Sequence, residues 1–237
     1  MSPVNASHTA RERARAELTR EITEEARRQL AETGAPGLSL RAVARELGMV
    51  SSALYRYFPS RDDLLTALII DAYNALGEAA ETAAAAADLS PRRRWLAACD
   101  AIRDWALAHP HEYALIYGSP VPGYRAPQAT IGPASRVPLA FARVLADAVA
   151  GGALRTGDGP VLDGALSAQA GLLAAALVES GASDVPPDAL VRAVIAWAQL
   201  YGMISFELFG QFVGSFEPVD ALFDYAVAQL ATFVGLE

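Results

Sequence analysis

A chain of 237 residues with 53% hydrophobic and 19% charged residues has enough apolar material for one large or two modest packed domains, which excludes a disordered chain. A lone cysteine, Cys99, excludes an internal disulfide framework, and Met1 to Ala16 lack the apolar core of a secretory signal, so a reducing, cytoplasmic setting is expected. The net charge of −8 argues against a nucleic-acid partner only until it is divided: residues 1–61 hold 10 Arg against 7 acids, a net of +3, and the other 176 residues hold 9 against 20, a net of −11.

Ala-rich segments with apolar residues three and four apart, and no sustained alternation of period two, predict an all-α fold. The first helix is predicted from about Arg11 to Thr33, with Leu18, Ile22, Ala26 and Leu30 on one stripe and Gly34 as its stop. Two short helices follow, about Ser39–Leu47 and Ser51–Tyr57, separated by Gly48-Met49-Val50. After Pro59, Ser60 can cap a fourth helix with Asp63 three residues on; Leu64, Leu68, Ala72 and Leu76 form its buried stripe, and it fades in the Ala83 to Ala87 run. Further helices are predicted over Pro91–His109, Gly132–Ala150, Leu162–Gly181, Pro186–Phe209 and Pro218–Val234, each bounded by Pro, Gly or Asp, with Gly118–Pro133 the longest irregular stretch. The most apolar windows, Gly164–Val178 and Ala193–Phe206, are 15 and 14 residues without a charge, short of the roughly 18–20 of a membrane helix; they predict buried helices and no membrane partner.

The segment from Gly37 to Phe58 carries the chemistry. Ser39 can accept from free N–H groups of the next helix, Val43 and Leu47 point one way, Ala44 lets a neighbouring helix approach, and Gly48 can take the left-handed conformation of a tight turn. In the second short helix Leu54 and Phe58 share an inward face, which leaves Ser52, Ala53, Tyr55 and Arg56 outward. That outward set suits the DNA major groove: small side chains allow close approach, Ser hydroxyls reach base edges or phosphates, and Arg can fork onto guanine. Tyr57 and Arg61 would flank it near phosphates, and the start of the fourth helix offers a second phosphate site. Arg11, Arg13 and Arg15 read either as an arm for the minor groove or as a frayed, solvated start.

The run Leu38-Ser39-Leu40-Arg41, Val43-Ala44, Leu47-Gly48, Ala53-Leu54-Tyr55, Tyr57-Phe58, Ser60-Arg61-Asp62 and Leu64-Leu65 closely resembles the DNA-binding domain of TetR-family regulators over about Leu18 to Leu68. The resemblance implies a three-helix helix-turn-helix domain at 1–60 and a larger helical ligand-sensing and dimerisation domain at 61–237. It also implies a cytoplasmic repressor that binds an inverted-repeat operator in double-stranded DNA as a homodimer and is released by a small-molecule effector. By motif position it places DNA contacts at Ser39, Arg41, Ser51, Ser52, Ala53, Tyr55, Arg56, Tyr57 and Arg61. Val50 stands where the family usually has a small polar residue opening the recognition helix, and Ser51 or Ser52 would supply the cap.

The C-terminal part resembles the family more loosely. Trp197-Ala198-Gln199-Leu200-Tyr201-Gly202 is similar to the subgroup named for a Trp-His-Gly pattern, with Tyr201 in the place of His, and His109-Pro110 and Glu112-Tyr113 fit the same subgroup. Gly164, Ala168, Gly171 and Ala175 would let a partner backbone approach, and Pro186–Phe209 is apolar nearly all round, so the helices near 162–181 and 186–209 are expected to be buried and to pair with their two-fold mates. Trp105, Tyr113, Tyr117, Trp197, Tyr201 and Phe206, with Trp95, Phe141 and Met203, read either as core or as the lining of an effector cavity, with Arg103, His109 and Gln169 as polar anchors. The effector is expected to be largely apolar or aromatic.

His109-x-His111-Glu112 lacks the further ligands of a closed metal site. No nucleophile elbow, phosphate loop or His–carboxylate set near Cys99 is present, so no metal, cofactor or catalytic residue is expected, and Cys99 reads as core. A protein-interaction module remains the alternative to a DNA-binding regulator, and would show no DNA retention at low salt.

Overall fold

In the computed structural model, which describes residues 3–157 and 161–237, the described residues form ten α-helices and no strand, with one antiparallel bridge between Leu154 and Leu236. They are α1 (Pro3–Gly37), α2 (Leu40–Glu46), α3 (Ser51–Leu54), α4 (Arg61–Ala84), α5 (Pro91–Ala108), α6 (Pro110–Tyr117), α7 (Ile131–Ala150), α8 (Gly164–Val178), α9 (Pro187–Leu208) and α10 (Asp220–Phe233).

Helix α1 begins earlier than its apolar stripe, because the Ala, Arg and Glu residues that precede the stripe are good helix formers. Arg11, Arg13 and Arg15 therefore lie on a helix, where their side chains are exposed to solvent, as the solvated start expected, although the backbone is helical rather than frayed. Gly34, at φ +69°, breaks the helical path where a stop was expected. Helix α6 was not anticipated: Pro110 reads as a terminator, yet proline is equally suited to a helix's first residue, and eight residues are too few to display a periodicity.

The chain packs as two compact units. The first takes the residues up to Ala72 together with His111–Ile131. Its core joins Ile22 and Ala26 of α1, Leu40, Val43 and Ala44 of α2, Leu54 of α3, Phe58, and Leu64, Leu65 and Leu68 of α4. Because those three leucines belong to this core, the unit runs past the expected division at residue 60. A salt bridge from Arg27 of α1 to Asp71 of α4 (2.7 Å) and to Glu112 of α6 (3.3 Å), and a hydrogen bond between Thr66 and Tyr124 (2.9 Å), are among its polar ties.

The second unit holds Tyr73–Pro110 and Gly132–Glu237. Helix α5 packs on α9 and α10, and α9 also packs on α8. Trp95, Cys99, Ile102, Phe141, Leu145, Leu200, Ile204 and Phe223 are among its buried side chains, and burial pushes the Cys99 thiol well up, as befits a core residue. Arg136 of α7 forks onto Glu81 of α4 (3.1 and 2.6 Å) and donates to the Asn74 carbonyl (2.8 Å). Only glycine fits at position 77, where a Cβ would lie 2.6 Å from the Arg136 Cβ.

Helices α8 and α9 depart from the expected burial. Of the fifteen residues of α8, Ala170 and Leu177 are buried, whereas Leu172 is 75% exposed and Val178 58%. On α9, Leu190, Ala196, Leu200, Tyr201 and Ile204 face inward, while Val194, Ile195 and Phe206 are exposed. At 22 residues α9 is long and apolar enough to cross a membrane by length and composition, and a third of its apolar window is buried within this chain.

Candidate nucleic-acid interface

Ser39 caps α2: its backbone is extended and its hydroxyl accepts from the Ala42 N–H (3.4 Å). At the other end, Gly48 adopts φ +64°, its N–H donates to the Arg45 carbonyl (3.1 Å), and the Met49 N–H donates to the Ala44 carbonyl (2.8 Å). This is the paired closure that a left-handed residue just past a helix produces. It turns the chain sharply enough for Leu54 and Phe58 to enter the same core as Val43.

The remaining face of α3 is open. Ser52, Tyr55 and Arg56 are exposed, and Ser51, Ala53 and Tyr57 are half-buried at its margin. Val50, rather than a serine, occupies the cap position, and its side chain makes no capping hydrogen bond; Ser51 is the first helical residue, so neither serine supplies the expected cap. The α-helix ends at Leu54 and the path to Tyr57 continues as turns, shorter than predicted. Arg41 and Arg56 are exposed and pair with no described carboxylate, so both charges face outward. At the margin the Arg15 guanidinium of α1 lies 5.2 Å from the Tyr57 ring centre, a cation–π contact that fixes the ring's edge.

Arg61 is placed differently from the rest. It is half-buried, with Nε donating to the Leu38 carbonyl (3.2 Å) and Nη2 to the Ala35 carbonyl (2.6 Å). Its guanidinium therefore holds the link between α1 and α2, a role without any local sequence signal because its partners lie 23 and 26 residues away. Beside it the Ser60 hydroxyl accepts from the Asp63 N–H (3.1 Å), the N-cap expected for α4, while the Asp63 carboxylate accepts from the Ser60 hydroxyl (2.6 Å) in place of the backbone N–H of a capping box.

The eight expected pocket residues are divided between the two units. Tyr113 and Tyr117 belong to the first unit, where their rings lie 5.2 Å apart and Tyr113 is fully buried. In the second unit Trp105 is buried and stacks on His109 (5.1 Å), but His109 itself is exposed, as are Gln169 and Phe206. Arg103 is no free anchor: it forks onto Glu207 (2.8 and 2.6 Å), reaches Asp220 (3.1 Å), and covers the Phe223 ring, tying α5, α9 and α10 together. Trp197 packs edge-on against Tyr201 (5.6 Å) and lines a cavity of about 240 Å³ with Phe141 and Ala142 of α7, Leu173 and Leu177 of α8, and Val194 of α9. A second cavity of about 690 Å³ is bordered by Leu166, Ile195 and Phe233 and by an Asp188–Arg192 ion pair (3.2 Å).

An open, cationic recognition face in a helical unit whose core joins α1, α2, α3 and the start of α4, together with a second helical unit that holds cavities, is the arrangement of a helix-turn-helix regulator. Residues 22–68 match the bacterial regulatory proteins of the tetR family, and residues 95–230 match the tetracyclin repressor-like C-terminal domain. The chain belongs to the TetR family of transcriptional regulators, which are DNA-binding proteins rather than enzymes. It is similar to HTH-type transcriptional regulators of Mycobacterium tuberculosis and Mycobacterium bovis, each 43% identical over 204 residues, 84% of this chain and 84% of theirs. Among solved structures, SCO4313, described as a regulatory protein, superposes with a TM-score of 0.72 at 37% identity over 93% of this chain and 98% of that one. A protein of Rhodococcus sp. RHA1 does so at 0.66 and 27% identity, over 92% and 95%.

Proposed function

We propose that the chain is a homodimeric repressor that binds an inverted-repeat operator and leaves it when a small, largely apolar molecule occupies the C-terminal unit. The observation that carries DNA reading is the outward set on α3 and the turn after it: Ser52, Tyr55 and Arg56 are exposed while Leu54, the last residue of α3, is fully buried. A helix held by one buried residue and otherwise open is shaped to enter a groove, with Arg56 forking onto a base edge and Ser39, Arg41, Ser51, Ala53 and Tyr57 around it near backbone or bases. Arg61 serves this surface by fixing the α1–α2 link, with a phosphate contact as its secondary part.

The dimer reading is supported by α8, a fifteen-residue helix without a charged residue and with two buried ones. A contiguous apolar face of this kind, continued on α9 by Val194, Ile195 and Phe206, needs cover in water, and a second copy of the same face supplies it with two-fold symmetry. The same dimer would present α3 twice, which is why the operator is an inverted repeat. The family default supports a cytoplasmic location.

Selection from random duplex DNA with the purified full-length protein tests this function. Enrichment of an inverted repeat, bound more weakly as salt rises, is the expected outcome. No enrichment at low salt would replace it with the protein-interaction reading.

A further inference from the structure

Val50 goes against two local preferences at once. It holds the cap position of α3, where Ser, Thr, Asp or Asn would satisfy a free backbone N–H and a valine side chain has no group to do so. It is also 70% exposed, with a branched apolar side chain standing in water. Single exposed apolar residues are ordinary on a protein surface, so its position decides whether this one has a use. Among the described residues of the first unit, the large hydrophobic side chains left exposed are Val50, Tyr55 and Ile131, and the first two bracket α3. The backbone at Val50 is extended (φ −71°, ψ 135°), so the side chains of Met49 and Val50 leave the chain on opposite sides. Met49 packs against the core of the unit, which turns Val50 away from that core, to the side where Ser52, Tyr55 and Arg56 stand open.

We propose that Val50 reads a base: its methyl groups pack on the C5-methyl group of a thymine in each half of the operator, at a base pair other than the one whose guanine Arg56 takes. This rests on the reading of α3 and the turn after it as the DNA-reading surface, and names a further specificity determinant within it. In the major groove the C5-methyl group of thymine is the apolar mark of a base edge, set among donors and acceptors. Valine can neither donate nor accept, so against a wholly polar edge it would strip water from groups that gain no hydrogen bond in return. Against a thymine methyl, two apolar surfaces leave water together. The hydroxyl cap that a serine would supply is absent in the free protein, and the apolar contact is made only on DNA that carries the methyl group.

The operator enriched by the full-length wild type is the probe, remade with deoxyuridine in place of one thymine at a time. That exchange removes a methyl group and keeps every hydrogen-bonding group of the base. At one position it should weaken the wild type about fourfold for each half of the operator, the worth of one methyl-sized group leaving water. Val50→Ser removes the apolar contact and adds a capping hydroxyl, so it should melt no lower than the wild type and bind the thymine and deoxyuridine duplexes alike. Val50→Thr keeps one methyl group and should retain part of the discrimination. An operator with no thymine whose methyl group matters, or the same deoxyuridine loss in Val50→Ser as in the wild type, would overturn the proposal. So would a Val50→Ser protein that melts lower and loses affinity equally for every duplex, since the side chain would then act only on the fold. Each of these results leaves the regulator reading standing, because an operator has been found by then, whereas failure to enrich any operator removes that reading and this contact with it.

Discussion

Replacing Arg61 by alanine should lower stability before it touches any DNA contact. In the folded chain the guanidinium donates to the Leu38 and Ala35 carbonyls, at 3.2 and 2.6 Å, where the chain passes from α1 to α2. A hydrogen bond from a charged donor contributes about 1.5–3 kcal/mol where water is excluded. Arg61 retains 32% side-chain exposure, so water can replace part of each bond, and the pair together is worth about 1–2 kcal/mol. In a chain of this size about 1 kcal/mol moves the melting transition by about 2–4 °C, so Arg61→Ala should melt about 2–8 °C below the wild type. Arg61→Lys should recover only part of that loss, since one ammonium cannot span both carbonyls with the fixed fork of a guanidinium. Differential scanning calorimetry of the wild type, the two Arg61 variants and Arg56→Ala makes the comparison. An Arg61→Ala protein that melts with the wild type but has lost DNA affinity would show that the guanidinium serves DNA directly.

Gly48→Val should destabilise by about 1–2 kcal/mol or more, read by the same calorimetry, because a β-branched residue resists φ +64° even though no atom lies within 4 Å of the new Cβ. Gly48→Ala should cost less, and equal losses would mean that any Cβ at this φ, rather than β-branching, sets the cost. Leu172→Asp, on the exposed face of α8, should shift sedimentation from dimer to monomer; an unchanged dimer would move the interface elsewhere. The Arg136 hydrogen bond, followed by the Arg136 charge, holds the Glu81 carboxyl below its ordinary value of 4.5 despite opposing desolvation. That stabilisation is therefore present above pH 4.5 and lost as pH falls through the lowered value. Glu81→Gln should destabilise at neutral pH by about 0.5–1 kcal/mol, a value set by the pair's partial exposure, and the gap from wild type should close in acid; a gap constant with pH would refute the ion pair's part.

The helix-turn-helix was legible because its signals are local. Ser39 as a cap, Gly48 as a left-handed residue, Ser60 as the cap of α4 and the Leu64-Leu68-Ala72-Leu76 stripe each act within one or two turns, and each is found where expected. Where signals depend on distant partners the sequence was silent. Arg61 reads as one more cation until α1 and α2 bring their carbonyls to it, and Arg103 reads as a pocket anchor until α9 and α10 bring Glu207 and Asp220. Aromatic residues at helical spacing were ambiguous for the same reason: Trp105 and Tyr113 went to cores, Phe206 to the surface, and Trp197 to a cavity. The apolar girth of α9 foretold burial, but within one protomer much of that face stays open.

The exposed face of α3 and the turn after it reads DNA, with Arg56 at its centre. Repeating the selection from random duplexes with Arg56→Ala beside the wild type tests it most directly. The wild type should enrich an inverted repeat with a guanine fixed in each half, and the variant, melting as the wild type does, should lose preference at that position at a cost of about 1–3 kcal/mol in affinity. Identical base preferences and affinities for the two proteins would contradict it.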